Sequence, residues 1–231
     1  MKALIFCAGA GTRMRPITLE TPKPLVEAAG IPMAVRQILA LKAAGIMEFV
    51  VNAAHLSDVL VSRLGDGSDL GVSIKYSIEG ASSSDALETR GGIVKALPLL
   101  TDGTEPFIAV AGDIVTDYPY ELLVGKAEGL GCDALAHLVL VDNPDYHPLG
   151  DMCLGADGRI TRSRGDRLTF SSLGAYSPKM FEGLDAQKAA LFPWMNQFID
   201  AGLVTGERYD GMWFNVGDAE ELARAEAELL R

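Results

Sequence analysis

The sequence predicts an α/β fold, a single domain on a mixed, mostly parallel central sheet flanked by helices. Three observations carry that prediction. Residues 3–8, 49–52, 72–78 and 107–111 read as strands, the third by its alternation and the others as short apolar runs with the length and composition of buried strands. Helical patterns that end in glycine separate the first three of them. Strand, helix, strand, helix, strand is the alternation of parallel strands joined by helical crossovers. No Pro/Gly/Ser-rich linker divides the 231 residues, which are enough to bury a sizeable core.

The run at 3–8 makes the first strand and breaks into Gly9-Ala10-Gly11-Thr12, where side chains nearly vanish and backbone N–H groups can approach a ligand. Arg13 and Arg15 follow at once, and Lys23 stands between Pro22 and Pro24. Bare amides followed by cations make a cradle for a polyphosphate. Two familiar glycine loops do not fit. The string G-x-x-x-x-G-K-[ST] is absent, and Met14 and Pro16 stand where a dinucleotide-binding turn needs a small residue and a helix.

Residues 25–28 form a short extended piece turned by Gly30. Pro32 suits the first turn of a helix over 33–44, whose Val35, Ile38, Leu39 and Leu41 face inward before Gly45. The strand at 49–52 precedes a helix that Ser57 or Asp58 starts, bearing Val59, Leu60 and Leu64 and ending at Gly65. The third strand covers 72–78, and residues 79–85 are small and polar, hence a flexible surface loop. Leu87-Glu88-Thr89-Arg90-Gly91-Gly92 leads into a helix over 93–97 that Pro98 stops.

The run 107–111 is the most continuous strand, and Gly112-Asp113 ends it. That places a carboxylate at the crevice where parallel sheets bind ligands. Asp117 is expected to cap the next helix. A buried strand at 133–141 is followed by loops at 143–144 and 147–151. A hairpin then pairs 152–154 with 159–161 around Asp157-Gly158, before a strand at 168–176. Ser177-Pro178 opens a short helix, residues 186–201 form a longer one ended by Gly202, and 212–216 is the last strand. Asp218 with Glu221 makes a capping box for a terminal helix bearing Leu222, Ala225 and Leu229.

A net charge of −11 argues against nucleic acid or an anionic membrane as a partner. Cys7, Cys132 and Cys153 lie far apart without metal spacing, which predicts reduced thiols, each a small core hydrophobe, in a cytoplasmic protein. The apolar start is too short for a secretory signal, and no run approaches a membrane span. His55, His137 and His147 lack metal spacing and read as packed or solvated, and Trp194 and Trp213 as core. Monomer and small homo-oligomer both remain open.

Residues 8–25, AGAGTRMRPITLETPKPL, resemble the signature of the sugar-1-phosphate nucleotidyltransferases, which carries G-x-G-T-R, a proline and then P-K-P. The resemblance spans nearly the whole chain. It is greatest to the single-domain N-acetylmuramate-1-phosphate uridylyltransferases of bacterial cell-wall recycling, through the stretches at 65–77, 93–100 and 136–144. It implies the Rossmann-like nucleotidyltransferase fold, with a nucleotide-binding half over about residues 1–115 continuous with a sugar-binding half over about 116–231. The substrates implied are UTP and N-acetylmuramate 1-phosphate, the products a UDP-sugar and pyrophosphate, and the cofactor Mg²⁺. In such a reaction the attacking phosphate is already anionic, so catalysis is positioning and charge neutralisation.

Carried over residue by residue, the resemblance gives Arg13 the triphosphate and the departing pyrophosphate, and Lys23 the α-phosphate, with Ala8, Gly9, Gly11 and Thr12 around them. Arg15 either assists or forms a structural ion pair. Asp113 matches the metal-binding Asp of the family, and Asn215 in Trp213-Phe214-Asn215-Val216-Gly217 stands where close relatives have a second Asp. An amide oxygen there is a Mg²⁺ ligand without charge, which implies weaker affinity. Glu79, Gly91 and Gly92 sit where relatives recognise the base, but Arg90 stands where they usually have glycine. The segment 81–85 is absent from close relatives and would lie over the nucleotide as a mobile lid.

Gly150 and Asp151, after Asp142-Asn143-Pro144, match sugar-contacting residues, although either reads equally as a turn. The lysine motif E-K-P that holds the sugar phosphate in longer relatives is missing, and Arg164 and Arg167 are the substitutes on offer. Two further readings stay open. One keeps the chemistry but changes the partners to glucose or mannose 1-phosphate, or to phosphocholine with CTP. The other is an idle nucleotide-binding regulatory relative, motivated by Arg90 and Asn215.

Overall fold

Alternation along the buried strands divides the apolar residues between two faces. Ala3, Ile5 and Cys7 join Phe49, Val51, Ile108 and Val110 in one core, whereas Leu4 joins Val50, Phe107 and Ala109 in another. The computed structural model describes residues 1–80 and 82–231. Along the chain, β1 (Ala3–Phe6), the two-residue strands β2 (Glu27–Ala28) and β3 (Ile31–Pro32), and α1 (Met33–Ala43) lead to β4 (Glu48–Ala53), α2 (Ser57–Leu64) and β5 (Ser73–Ile78). Then come α3 (Glu88–Leu100), β6 (Phe107–Ala111), β7 (Ile114–Thr116) and α4 (Tyr120–Glu128). The remainder holds β8 (Ala136–Val141), β9 (Met152–Leu154), β10 (Ile160–Thr161), β11 (Asp166–Tyr176), α5 (Asn196–Asp200), β12 (Val204–Arg208), β13 (Trp213–Asn215) and α6 (Ala219–Leu229).

Strands β5, β4, β1 and β6 pair in parallel in that order. Strand β11 adds antiparallel to β6, β8 antiparallel to β11, and β12 parallel to β8, with β9 and β10 extending β11 to complete nine strands. Helices α1, α2 and α4 cover one face through Ile38, Leu41, Leu60 and Leu123. Helix α3 and the segment after β11 cover the other through Ile93, Ala96, Phe181 and Met195. Full burial of each such Leu, Ile, Phe or Met side chain contributes about 1.5–3 kcal/mol. A third, smaller core gathers Met14, Val26, Met33, Val216 and Ala225 beneath α6.

The chain leaves β1 towards β4 and β5, then crosses back to β6 on the other side of β1. The ends of β1 and β6 therefore flank a topological switch point, where open sheets bind ligands. Phe6 lies opposite Ala111, and the Gly112 N–H donates to the Phe6 carbonyl at 2.9 Å, which sets Asp113 beside the glycine loop.

Several elements differ from expectation, each for a packing reason. Helix α3 begins at Glu88 and runs through Gly91, Gly92 and Pro98. The glycines do not break it because both are buried, and Pro98 falls in its last turn, so only the end of the ladder loses a donor. Most of 186–201 is not helical. Its Ala189 exchanges backbone hydrogen bonds with Leu87, Arg90 and Gly91 instead, and only Asn196–Asp200 is α-helix. Asp117 accepts from the Tyr209 hydroxyl rather than capping α4, whose N-cap is Pro119.

Asp218 caps α6 as expected, but Glu221 holds Arg224. Cys132 is exposed rather than core, while Cys7 and Cys153 are buried. Strands β3, β7 and β12 lie where the sequence predicts none, and β13 pairs with β7 outside the main sheet. Within the polar loop, Ser83–Asp85 forms a 3-10 turn closed by Ser82 and Asp85, and Ala81, part of the expected lid, lies outside the described residues.

Gly91 shows how tightly the 186–190 segment is seated. A Cβ there would stand 2.2 Å from the Gln187 carbonyl oxygen. Gly91→Ala is expected to cost about 1–3 kcal/mol and to lower Tm by about 3–10 °C. An unchanged melting curve would show that the segment does not dock on α3.

Candidate active site

The glycine loop is folded back on the Pro22-Lys23-Pro24 turn. Gly11 has φ +60°, and a Cβ on it would meet Lys23 Cβ and Thr18 Cγ2 at 2.9 Å, so only glycine permits this approach. The Thr18 hydroxyl donates to the Gly11 carbonyl at 2.7 Å and fixes the turn. Gly9 by contrast has nothing within 4 Å of a Cβ position, which leaves open space over the loop. Pro22 and Pro24 are buried and aim Lys23 across the crevice, where its ammonium pairs with the Asp113 carboxylate.

Behind the loop runs a chain of hydrogen bonds. The Cys7 N–H donates to Asn52 Oδ1 at 2.7 Å, Asn52 Nδ2 donates to Glu79 Oε1 at 2.6 Å, and the Leu87 N–H donates to Glu79 Oε2 at 2.7 Å. Both oxygens of Glu79 thus hold the ends of β4 and α3 together. A Cβ at Gly92 would lie 2.7 Å from Glu79 Oε1, so this glycine lets α3 reach the clamp. Gly91 and Gly92 therefore have reasons internal to the fold. Burial, and after it the Asp113 charge, push the Cys7 thiol far above its ordinary range.

Asn215 lies opposite Ile114 in the β7–β13 pair, and the Val216 N–H donates to the Asp113 carbonyl at 3.1 Å. The metal candidates Asp113 and Asn215 are thereby brought to one edge. Asn215 and Tyr146 line the same depression. Arg13 is exposed, with its guanidinium against Gly217, where a Cβ would stand 2.7 Å from Nη2. It flanks the Asn215 side of the crevice, in a depression with Asp145, Tyr146 and Glu221. Thr12 and Arg15 are exposed beside it, and Ala8 is buried beneath the loop.

Gly150 and Asp151 are committed to a loop latch. Gly150 has φ +58°, and Asp151 accepts from the Phe170 N–H at 2.9 Å and contacts His147 Nε2 at 3.0 Å. Arg167 donates to the carbonyls of Leu149, Gly150 and Asp151, whereas Arg164 lines a separate depression with Asp157 and Asp200. Arg90 sits 5.4 Å from the centroid of Trp194 as a cation–π pair.

The crevice itself is a cleft of about 400 Å³, bounded by Ala8, Gly9, Glu79 and Asp113 together with Glu88 and Lys188. Glu88, from the Leu87–Gly92 stretch, lies in the left-handed region at φ +58°, whereas no local motif marks Lys188. Glu79→Gln would set an amide N–H₂ against either Asn52 Nδ2 or the Leu87 N–H. The unpaired donor is expected to cost about 1–3 kcal/mol, read as a lower denaturation midpoint in urea. An unmoved midpoint would remove the clamp from the account.

The sequence profile of the family described as Nucleotidyl transferase matches residues 2–164. An N-acetylmuramate alpha-1-phosphate uridylyltransferase of Neisseria meningitidis serogroup B is 43% identical over 230 residues, 98% of this chain and 97% of that protein. A mannose-1-phosphate guanyltransferase beta-B of Xenopus laevis is 30% identical over 96% of this chain, which spans 62% of that longer protein. A solved structure from Bacillus anthracis, assigned as a glucose-1-phosphate thymidylyltransferase, shares the fold with a TM-score of 0.81 at 22% identity, over 99% of this chain and 94% of the other. With this crevice and these matches, the chain belongs to the nucleotidyl transferase family, among its sugar-1-phosphate nucleotidyltransferases.

Proposed function

We propose that the protein transfers the uridylyl group of UTP to N-acetylmuramate 1-phosphate, giving a UDP-sugar and pyrophosphate. The observation that carries this reading is the Lys23–Asp113 pair set across the switch point beside the open space over Gly9. The choice of substrates is supported by 43% identity to the Neisseria uridylyltransferase over nearly the full length of both chains. Residues 1–115 supply the nucleotide side and 116–231 the sugar side. No helix among the described residues is long and apolar enough to cross a membrane. A cytoplasmic place in cell-wall sugar recycling goes with the reading.

In the reaction, a phosphate oxygen of the sugar 1-phosphate forms a bond to the α-phosphorus as the bond to the β-phosphate oxygen breaks, and pyrophosphate departs with the electron pair. No proton needs to move. The chain's task is to hold two polyanions in line. The loop from Ala8 to Thr12 accommodates the triphosphate, Lys23 is the cation at hand for the α-phosphate, and Arg13 is the one for the pyrophosphate. Gly150 and Asp151 bound the sugar side, and Glu79, Gly91 and Gly92 shape the wall that faces the base.

The carboxylate of Asp113 and the amide oxygen of Asn215 are hard donors at one edge, and they suit Mg²⁺, which keeps most of its shell for phosphate oxygens and water. Bound there, Mg²⁺ supplies charge neutralisation on the phosphates and polarises the α-phosphorus.

Pyrophosphate release over a panel of nucleoside triphosphates and sugar 1-phosphates tests the reading, with the highest kcat/KM expected for UTP and N-acetylmuramate 1-phosphate. A preference for GTP with mannose 1-phosphate would place the chain with the guanylyltransferases, and no release with any pair would overturn the enzyme reading. Lys23→Ala and Asp113→Ala are each expected to lower kcat by about 100-fold or more, as loss of preorganised charge does elsewhere. Asn215→Asp should lower the Mg²⁺ concentration needed for half-maximal turnover, since it adds a full charge to the ligand pair. An unchanged Mg²⁺ dependence would remove Asn215 from the metal site.

A further inference from the structure

Residues 112–114 are gripped in three places. The Gly112 N–H donates to the Phe6 carbonyl at 2.9 Å, and the Asp113 carbonyl accepts from the Val216 N–H at 3.1 Å. Both of these contacts join backbone to backbone. The third does not. Strand β7 has a neighbour, β13, on one side only, and the Ile114 carbonyl accepts instead from Gln37 Nε2 of α1 at 2.7 Å.

Gln37 is 2% exposed and is the one polar residue on the buried face of α1, which otherwise presents Met33, Ala34, Ile38 and Leu41. An amide withdrawn from water is tolerated when both its ends are hydrogen-bonded. Here Oε1 accepts from the hydroxyl of Tyr120, a buried residue at the start of α4. Burial pushes that phenol far above its ordinary range, so it stays a donor. The hydroxyl thus decides which way the amide faces, with its oxygen to Tyr120 and its N–H₂ to Ile114.

Helix α1 also touches the other half of the Lys23–Asp113 pair. Its first residue, Met33, donates its N–H at 3.1 Å to the carbonyl of Val26, which closes the turn Lys23–Leu25. One helix is therefore bonded at its start to the turn that carries Lys23, and one turn later to the residue that follows Asp113. An apolar side chain at position 37 would fill the same space and leave the Ile114 carbonyl unbonded. A fully satisfied buried network of this kind rigidifies what it touches.

We propose that Gln37, oriented by Tyr120, is a positioning residue that holds the Asp113 carboxylate in register with Lys23 for Mg²⁺ and the triphosphate. The proposal rests on the metal-binding role proposed for Asp113. Gln37→Met keeps the volume and removes both polar atoms, Tyr120→Phe removes the orienting hydroxyl, and Leu41→Ala removes packing on the same helix but no hydrogen bond. The three are compared with the wild type by kinetics in which Mg²⁺, UTP and sugar 1-phosphate are each varied. Gln37→Met is expected to lower kcat, and to raise the Mg²⁺ concentration needed for half-maximal turnover, by about 10-fold each, as loss of a group that orients a metal ligand does elsewhere. KM for the sugar 1-phosphate should stay within about 2-fold. Tyr120→Phe should move both constants the same way by a smaller factor, and Leu41→Ala should lower Tm while leaving both within about 2-fold.

Unmoved constants in Gln37→Met, or an equal change in Leu41→Ala, would overturn the proposal. Should Gln37→Met fail to fold, Tyr120→Phe takes its place, and unmoved constants there refute it equally. Should the wild type turn over no pair of substrates, the enzyme reading falls, and a double-mutant cycle on urea midpoints still decides Gln37. Asp113→Asn is introduced into the wild type and into Gln37→Met. If Gln37 seats Asp113 against Lys23, the double variant loses less than the sum of the two single losses, whereas additive losses refute the seating.

Discussion

A carboxylate and an ammonium held in contact where two parallel strands stop is the constraint around which this molecule is built. Asp113 and Lys23 are both largely withdrawn from water, and a charge so placed is tolerated only with its partner beside it. Keeping them together dictates backbone geometry at three points. Gly11 has to be bare and left-handed because Lys23 passes beneath it. Gly112 has to be bare because a Cβ would stand 2.9 Å from the Cys7 sulfur and 3.0 Å from the Phe6 carbonyl. The prolines either side of Lys23 then fix the backbone from which its side chain crosses to Asp113.

The crevice stays open because a second set of contacts braces its walls. Asn52 and Glu79 tie the ends of β1, β4 and β5 to the start of α3, so the loop amides and the helix cannot move apart independently. The strap at 187–192 is pinned to the same helical turn, and the absence of side chains at Gly91 and Gly92 allows both contacts at once. For a chain of net charge −11, such rigidity has an electrostatic purpose. Few cations are available, and binding a polyanion depends on their being fixed where the phosphates arrive rather than spread through solvent.

Much of this was legible in the sequence. Apolar runs located β1, β4 and β6, because burial on both faces leaves strands continuously hydrophobic, and alternation located β5, where Ser73 and Lys75 are exposed. The glycine loop and Asp113 were legible because each stands just beyond the end of a parallel strand, and Lys23 because two prolines flank it. What stayed hidden depends on tertiary contact. The segment 186–195 lies in the stretch expected to be helical, but the backbone groups of its Ala189 bond Leu87, Arg90 and Gly91 at the start of α3, which no local pattern reveals. Strands β7 and β12 are short and draw their partners from distant sequence. Lys188 carries no motif at all, and only the docking of its strap sets it in the cleft.

The two departures from the family pattern have different physical outcomes. Arg90 does not put its charge into the crevice. Trp194, itself stacked on Phe181 with ring centroids 5.4 Å apart, offers the guanidinium an aromatic face, so the substitution adds a peg to the strap. On the proposed reading, Asn215 acts through the charge it does not carry. With an amide at that position, the Asp113 carboxylate is balanced by Lys23 before any ligand arrives, and the proposed metal site has no surplus negative charge. A bare divalent ion then gains little by entering alone, whereas one carried in by a triphosphate meets its ligands already neutralised. On the proposed reading, Asn215 makes metal binding depend on nucleotide binding, and the Lys23–Asp113 pair keeps the empty crevice electrically quiet until both come together.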